Sequence, residues 1–220
     1  MVRCGTHECS TMTAMADFAI ADLLRDEGFR RPESLAAARA ALDASGLTRA
    51  GKQRMASEKL ERARNALSLA IVRHCSSTEC TAAVADDGRQ AVEVERPQCS
   101  VCSGSNNVRA LRRMAALCTQ ARVRRLLIIG GRPPNYAAMQ RTLADALDLR
   151  FVDGTSNLPD GNAALRDCAW ADLLVLWAPT PLPHKVSSLY RAEVCGVPHR
   201  VTVHRRGIEA LAAEVIKHLS

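Results

Sequence analysis

Four cysteines in two short loops are the residues of this sequence best suited to chemistry. Four residues separate Cys75 from Cys80 and two separate Cys99 from Cys102, with eighteen residues between the pairs. Zinc takes four soft ligands in a tetrahedron, and two cysteine loops joined by a hairpin can supply them. Four thiolates leave no open coordination position, so the spacing predicts a structural zinc site. Four unrelated buried thiols and a redox switch are the alternatives.

The other cysteines are interpreted differently. Cys4, His7 and Cys9 are candidates for part of a second metal site, but three ligands this close together rarely complete a tetrahedron alone, and we interpret this N-terminus as disordered. The first residues lack the apolar core of a secretory signal, and no segment is long enough to span a membrane. These features predict a cytoplasmic protein whose cysteines are thiols and metal ligands before disulfides. The remaining three fall on apolar helix faces and are predicted to be core residues: Cys118, Cys168 and Cys195.

Positive charge is concentrated in two stretches. The net charge is +7, and residues 46–73 hold seven basic and two acidic residues, while residues 105–125 hold six arginines and no acid. Such clusters attract polyphosphates, which predicts contact with DNA or RNA. A solvated face, or a docking face for a protein partner or a second copy of the chain, is the alternative. The predicted nucleic-acid-binding residues are Arg49, Lys52, Lys59, Arg62, Arg109, Arg112 and Arg113.

Residues 1–73 are interpreted as a basic helical region. Apolar spacing predicts one helix after residue 12, a second over Glu33–Ala44, and a third from about Thr48 or Gly51 to Val72. The last two helices flank a short turn at Ser45-Gly46, so a helix-turn-helix is one interpretation and a small helical bundle is the other.

Residues 74–105 lose the helical period. The turn Asp86-Asp87-Gly88, between Val84-Ala85 and Ala91–Val94, predicts a hairpin that would connect the two cysteine pairs as in a zinc ribbon. Residues 106–121 are then predicted to form a linking helix with its arginines opposite its apolar residues.

Residues 122–220 alternate short apolar strands with helices, which predicts a parallel sheet in a Rossmann-like α/β domain. Strands are predicted at 125–129, 149–152, 172–178 and 199–203. Helices are predicted at about 135–147, 160–169, 185–195 and 207–219.

The loops after these strands are rich in glycine, cations and hydrogen-bonding groups. Ligands bind at this edge of a parallel sheet, and glycines followed by a helix N-terminus favour an anion. The sequence after Ile129 is not the dinucleotide fingerprint, and the Gly-Gly pair is equally explained as a tight turn. The predicted ligand-binding residues are Gly130, Gly131, Arg132, Asn135, Asp153, Gly154, Thr155, His184, Lys185 and Arg205.

Over residues 124–206, short motifs resemble a bacterial Rossmann-like domain family of unknown function. The motifs are Ile129-Gly130-Gly131, Asp153-Gly154, His184, and Gly196 two residues before Pro198. The family has Val-Gly-Gly, His-Asp-Gly and Ser-His at the first three places. This sequence departs from it with Val152 before Asp-Gly and Pro183 before His184. The resemblance implies a fold and no reaction.

The sequence predicts a non-enzymatic, zinc-containing protein that binds nucleic acid or has a regulatory role, and whose α/β domain senses a small anionic ligand. No catalytic residue is assigned, because no nucleophile–histidine–acid arrangement stands in a suitable context. One alternative is a subunit of a multi-protein assembly. The other is an enzyme acting on a nucleotide or phosphorylated substrate, with His184 as acid/base, Asp153 orienting it, and Arg132 and Lys185 holding phosphate.

Overall fold

The computed structural model describes residues 17–153, 160–178, 184–191 and 194–220. The chain divides into two compact units, Met1–Gly104 and Ser105–Ser220. Both units mix helices with strands, and the second contains a four-stranded parallel sheet, as the sequence predicts. Among the helices that the structure describes, none has the length and apolar character needed to cross a bilayer.

The first unit combines two small sheets with helices. Strand β1 (Asp17–Ala19) pairs antiparallel with β2 (Arg54–Ala56). Strand β3 (Ile71–His74) pairs in parallel with β4 (Gln90–Glu93). The helices are α1 (Ile20–Asp26), α2 (Pro32–Ala44), α3 (Leu60–Ala70) and α4 (Thr78–Ala82), with 3-10 turns at Ser57–Lys59 and Arg96–Gln98.

Helical spacing of apolar side chains builds the core of this unit. Helix α2 begins at Pro32, where the missing N–H is tolerated, and the Ser34 hydroxyl accepts a hydrogen bond from the Arg31 N–H at 3.1 Å. Helix α3 buries Ala63 and Leu67 on one face. Leu42 of α2 joins the same core, together with fully buried side chains from elsewhere in the unit, Ile20, Phe29 and Met55.

Three predictions for this half of the chain are wrong. Residues 1–73 are not wholly helical, because Ile71 and Val72 lie in β3, where β-branched side chains pack well. The third helix begins only at Leu60, so residues 45–59, which include β2, replace the short turn of a helix-turn-helix. The predicted hairpin is also absent from the described residues, because β3 and β4 are parallel and residues 75–89 cross over between them.

In the second unit, all four predicted strands are confirmed within one residue at either end. They are β5 (Arg125–Gly130), β6 (Asp148–Val152), β7 (Leu173–Trp177) and β8 (His199–Val203), in the spatial order β6-β5-β7-β8 and all parallel. The helices are α5 (Asn106–Gln120), α6 (Pro133–Leu143), α7 (Gly161–Trp170), α8 (His184–Leu189) and α9 (Ile208–Leu219). Helix α8 ends before the predicted residue 195.

Helices cover both faces of this sheet. Leu126 and Ile128 of β5 belong to a core that includes side chains of α5, α6 and α9. Leu127 and Ile129 point to the opposite face, into a core with side chains of α7 and α8. Successive strand residues alternate between faces, so the uninterrupted apolar run of β5 is what a doubly covered strand requires. The arginine-rich helix α5 is therefore part of the second unit and packs against α9.

Candidate functional site

The four cysteines of the two pairs follow the ends of the parallel strands β3 and β4. Cys75 comes directly after β3, and Cys80 lies in α4, whose N-cap Ser77 accepts a hydrogen bond from the Cys80 N–H at 3.3 Å. Cys99 ends the 3-10 turn after β4, and Cys102 follows it. The four-residue spacing of the first pair is explained by the helical turn that carries Cys80. Parallel pairing brings both pairs to the same edge of the small sheet.

The four sulfur atoms form a compact, buried cluster. All four Sγ atoms lie within 4.8 Å of one another, and Cys75 Sγ is 3.9 Å from Cys102 Sγ. The four residues are 0–4% exposed. Four sulfurs around a tetrahedral ion with bonds of about 2.3 Å would be roughly 3.8 Å apart. The cluster therefore has the size and burial of a site that could hold a metal ion.

Burial is the largest influence on the pKa of three of these thiols, those of Cys75, Cys80 and Cys102. It raises the pKa of Cys80 to about 12 and raises the pKa of Cys102. Burial also raises the pKa of Cys75, but hydrogen bonds from Ser77 and from the neighbouring thiols outweigh it and lower that pKa to about 7. These shifts favour the thiolate form of Cys75 and disfavour that of Cys80 and Cys102. A bound cation would supply the positive charge that lets these two thiols ionise.

Backbone N–H groups support two of the sulfurs. The Ser77 N–H donates to Cys75, and the Gly104 N–H donates to Cys102, which lowers the pKa of each thiol against the effect of burial. A turn after Cys102 aims the second N–H: Ser103 has φ of 45° and Gly104 has φ of 80°, and the Ser103 N–H donates to the Cys99 carbonyl at 2.8 Å. Donors aimed at both sulfurs stabilise thiolates, as the outer shell of a metal site does.

The predicted nucleic-acid-binding residues fall into separate groups. Arg49, Lys52 and Lys59 line one cleft in the first unit, with a volume of about 570 Å³. Arg62 lies exposed on α3 of the same unit. The other three lie on α5 of the second unit, where Arg113 is exposed and Arg109 and Arg112 are half-buried.

The two half-buried arginines of α5 differ from the solvent-facing pattern that the sequence predicts. The Nε atoms of Arg109 and Arg112 are buried, with no hydrogen-bond partner among the described residues. Arg109 also donates from Nη2 to the Asn106 side chain at 2.6 Å. Part of each guanidinium is therefore withdrawn from solvent, and Arg113 is the exposed arginine of the three.

The predicted ligand-binding residues that the structure describes lie around the carboxyl edge of the large sheet. Arg132 is the N-cap of α6, Asp153 follows β6, His184 and Lys185 begin α8, and Arg205 follows β8. Asn135 lies in the first turn of α6. Gly154 and Thr155 lie outside the described residues, so this part of the predicted site stays a prediction.

Aromatic side chains occupy the space beside the Gly-Gly pair at this edge. The Tyr136 hydroxyl donates to the Gly130 carbonyl at 2.8 Å, and the Tyr136 ring stacks on Phe151 with centroids 4.3 Å apart. Burial, and then the charge of Asp153, raise the pKa of Tyr136 to about 12. A Cβ at Gly131 would lie 2.6 Å from Cε3 of Trp177. Close packing thus explains the glycine without a ligand.

Sequence reasoning missed a disulfide in the second unit. Cys168 of α7 is bonded to Cys195, and their Cα atoms are 5.4 Å apart. Both cysteines are buried core residues, as predicted, but they are not thiols, and Cys195 lies beyond the end of α8. Cys118 is the buried thiol that the sequence predicts, and burial raises its pKa to about 11. Cys4, His7 and Cys9 lie outside the described residues.

Comparison of the chain with protein-family models, with curated proteins and with solved structures gave no match.

Proposed function

We propose that this chain is a non-enzymatic nucleic-acid-binding protein whose first unit is held together by a structural zinc ion. The observation that carries the zinc part is the cluster of four buried cysteine sulfurs within 4.8 Å of one another. A ligand set made only of thiolates selects soft or borderline metals, and a single tetrahedral S₄ site suits zinc. Four protein ligands leave no position for water or substrate, so the ion would be structural.

The region around the cysteines gives such an ion a role. Between Cys75 and Gly104 the buried apolar side chains, apart from the cysteines, are Val84, Val92 and Val94. This small number cannot offset the cost of ordering some thirty residues, each at roughly 1–2 kcal/mol of backbone entropy. A metal bound by both cysteine pairs would join the end of β3 to the segment after β4. The stability of this segment would then depend on the ion.

Elemental analysis of protein purified without chelators tests the zinc site. We expect one zinc per chain in the wild type and none in the C99S/C102S variant, because two ligands cannot retain the ion. The C118A variant is the matched control, since it removes a buried thiol outside the cluster, and it should keep the zinc. Metal-free wild-type protein, or equal zinc in the C99S/C102S variant, would contradict the proposal.

Unpaired cations support the nucleic-acid part. Arg49, Lys52, Lys59 and Arg62 take part in none of the ion pairs found among the described residues. Cations without protein partners remain available for phosphate. Filter binding of DNA and of RNA at several salt concentrations tests this directly. Affinity should fall steeply as salt rises, and the absence of binding at low salt would favour a protein partner instead.

A further inference from the structure

A cleft in the first unit is lined by Gly46–Lys52 and Lys59 and has a volume of about 570 Å³. Its role as a binding site rests on the proposed nucleic-acid binding and specifies where that binding takes place. Ligand sites commonly occupy about 300–1,000 Å³, so the cleft has room for a phosphate group and its neighbours.

This cleft carries cations that form no ion pair among the described residues, although the Asp43 carboxylate accepts a hydrogen bond from Thr48 of the lining. Its lining contains three cations, Arg49, Lys52 and Lys59, and no acidic residue. The ion pairs described in the first unit use other cations, namely Arg25, Arg30, Arg31, Arg64, Arg73 and Arg89. Three like charges around one cavity repel one another, and an anion between them removes that repulsion.

Hydrogen bonds within the unit fix the loop that forms the cleft. The Thr48 hydroxyl donates to the Asp43 carboxylate, and the Arg39 guanidinium donates to the Lys52 carbonyl. The Lys52 N–H donates to the Arg49 carbonyl at 3.0 Å, which closes a turn through Gly51, whose φ is 81°. A loop whose backbone is already ordered loses little backbone entropy on binding, so the positions from which Arg49 and Lys52 extend are fixed in advance.

The lining also indicates what the cleft does not recognise. It contains no aromatic side chain on which a base could stack, and its polar groups are cations, one hydroxyl and the backbone. Phosphate contacts position a nucleic acid without reading its sequence. We propose that this cleft is a phosphate-binding site that holds the nucleic-acid backbone independently of base sequence.

The test uses full-length, zinc-loaded protein and the R49A/K52A/K59A variant. A matched control, R141A/R166A/K217A, removes the same charge at three exposed residues of the second unit that form no described ion pair. Binding of a mixed-sequence DNA strand and of oligo(dT) is measured by fluorescence anisotropy at several salt concentrations. Inorganic tripolyphosphate, as competitor and as direct ligand in calorimetry, separates a nucleic-acid site from a site for free polyphosphate. Circular dichroism and zinc content confirm that both variants are folded.

We expect equal affinity of the wild type for the two DNA strands. The cleft variant should lose more than about tenfold in affinity, and the slope of log K against log salt should become shallower by about 2–3, near one for each lost phosphate contact. The control should keep most of its affinity. If the wild type binds DNA and the cleft variant keeps the same slope, the cleft is not the phosphate-binding site, although the protein still binds nucleic acid. If the protein binds no DNA, and binds tripolyphosphate only while the cleft is intact, the cleft is a phosphate site but its ligand is not nucleic acid. If the protein binds neither DNA nor tripolyphosphate, both the phosphate site and the proposed nucleic-acid binding are wrong.

Discussion

Replacement of Gly131 by alanine tests whether packing, and not a ligand, requires glycine at the carboxyl edge of the large sheet. Gly131 has φ of 95°, in a region that L-residues rarely adopt. The added Cβ would also lie 2.6 Å from Cε3 and 2.9 Å from Cζ3 of Trp177. Trp177 is 2% exposed, and its indole N–H donates to the Arg205 carbonyl at 3.2 Å, so the ring has little freedom to move away.

The expected loss of stability is the sum of a backbone effect and a packing effect. The left-handed backbone costs an alanine about 1–2 kcal/mol. Overpacking a filled core costs about 1–3 kcal/mol. We therefore expect Gly131→Ala to lower the free energy of unfolding of the second unit by about 3 kcal/mol. At about 4 °C per kcal/mol for a unit of this size, the Tm should fall by roughly 12 °C.

Tryptophan fluorescence is the suitable assay, because both tryptophans of the chain, Trp170 and Trp177, lie in the second unit. Gly161→Ala is the matched control, since a Cβ there would meet no described atom within 4 Å, and its Tm should be unchanged or slightly higher. In a Trp177→Leu background, Gly131→Ala should cost less, because only the left-handed backbone, about 1–2 kcal/mol, and a 3.1 Å contact of the added Cβ with Cε1 of Tyr136 remain. An unchanged Tm for Gly131→Ala alone would refute the packing argument and reopen the case for a ligand there.

Two further predictions concern the same unit. Hydrogen bonds from the Arg125 guanidinium and from the backbone N–H groups of Arg125 and Arg124 lower the pKa of Asp172 to about 2. The stabilising effect of the Asp172 carboxylate is therefore present above about pH 4 and is lost as pH falls towards 2. Asp172→Asn should lower the free energy of unfolding at neutral pH by about 1 kcal/mol. Between pH 4 and 2 the free energy of unfolding of this variant should depend less on pH than that of the wild type, and an equal pH dependence would contradict this. In the C168S/C195S variant, the free energy of unfolding of the second unit should fall by up to roughly 3.5 kcal/mol, which is the chain-entropy value for a separation of 27 residues. A Tm equal to that of the wild type would contradict this prediction.

The α/β half was predictable because its pattern is local and redundant. Each strand is a short apolar run, and the covering helices show apolar residues at helical spacing, so several signals agree on each element. The end of α8 was not predictable in the same way. Cys195 continues the apolar spacing of a helix, but it is fixed instead by its bond to Cys168, a contact distant in sequence.

The first unit was harder to predict because its strands are very short. Strands β1 and β2 have three residues each, too few to show alternation, and each exists only because the other pairs with it. Strand β3 was hidden for a different reason: Ile71 continues the helical spacing of Leu67, and only pairing with β4 makes it a strand. The cysteine cluster was nevertheless predictable, because ligand spacing does not depend on whether β3 and β4, the strands that precede the two cysteine pairs, are parallel or antiparallel.

The disulfide shows why cysteine chemistry cannot be inferred from the expected compartment alone. The N-terminal sequence predicts thiols or metal ligands at all the cysteines, yet the structure has a four-sulfur cluster in one unit and a bonded pair in the other. Reduction of a disulfide requires a thiolate to approach one of its sulfurs in line. Cys168 is 8% exposed and Cys195 3%, so this approach requires local opening around α7 and the segment after α8. Burial therefore slows reduction of this bond, and its persistence in a reducing buffer would depend on the local stability of the second unit as well as on the reduction potential of the solution.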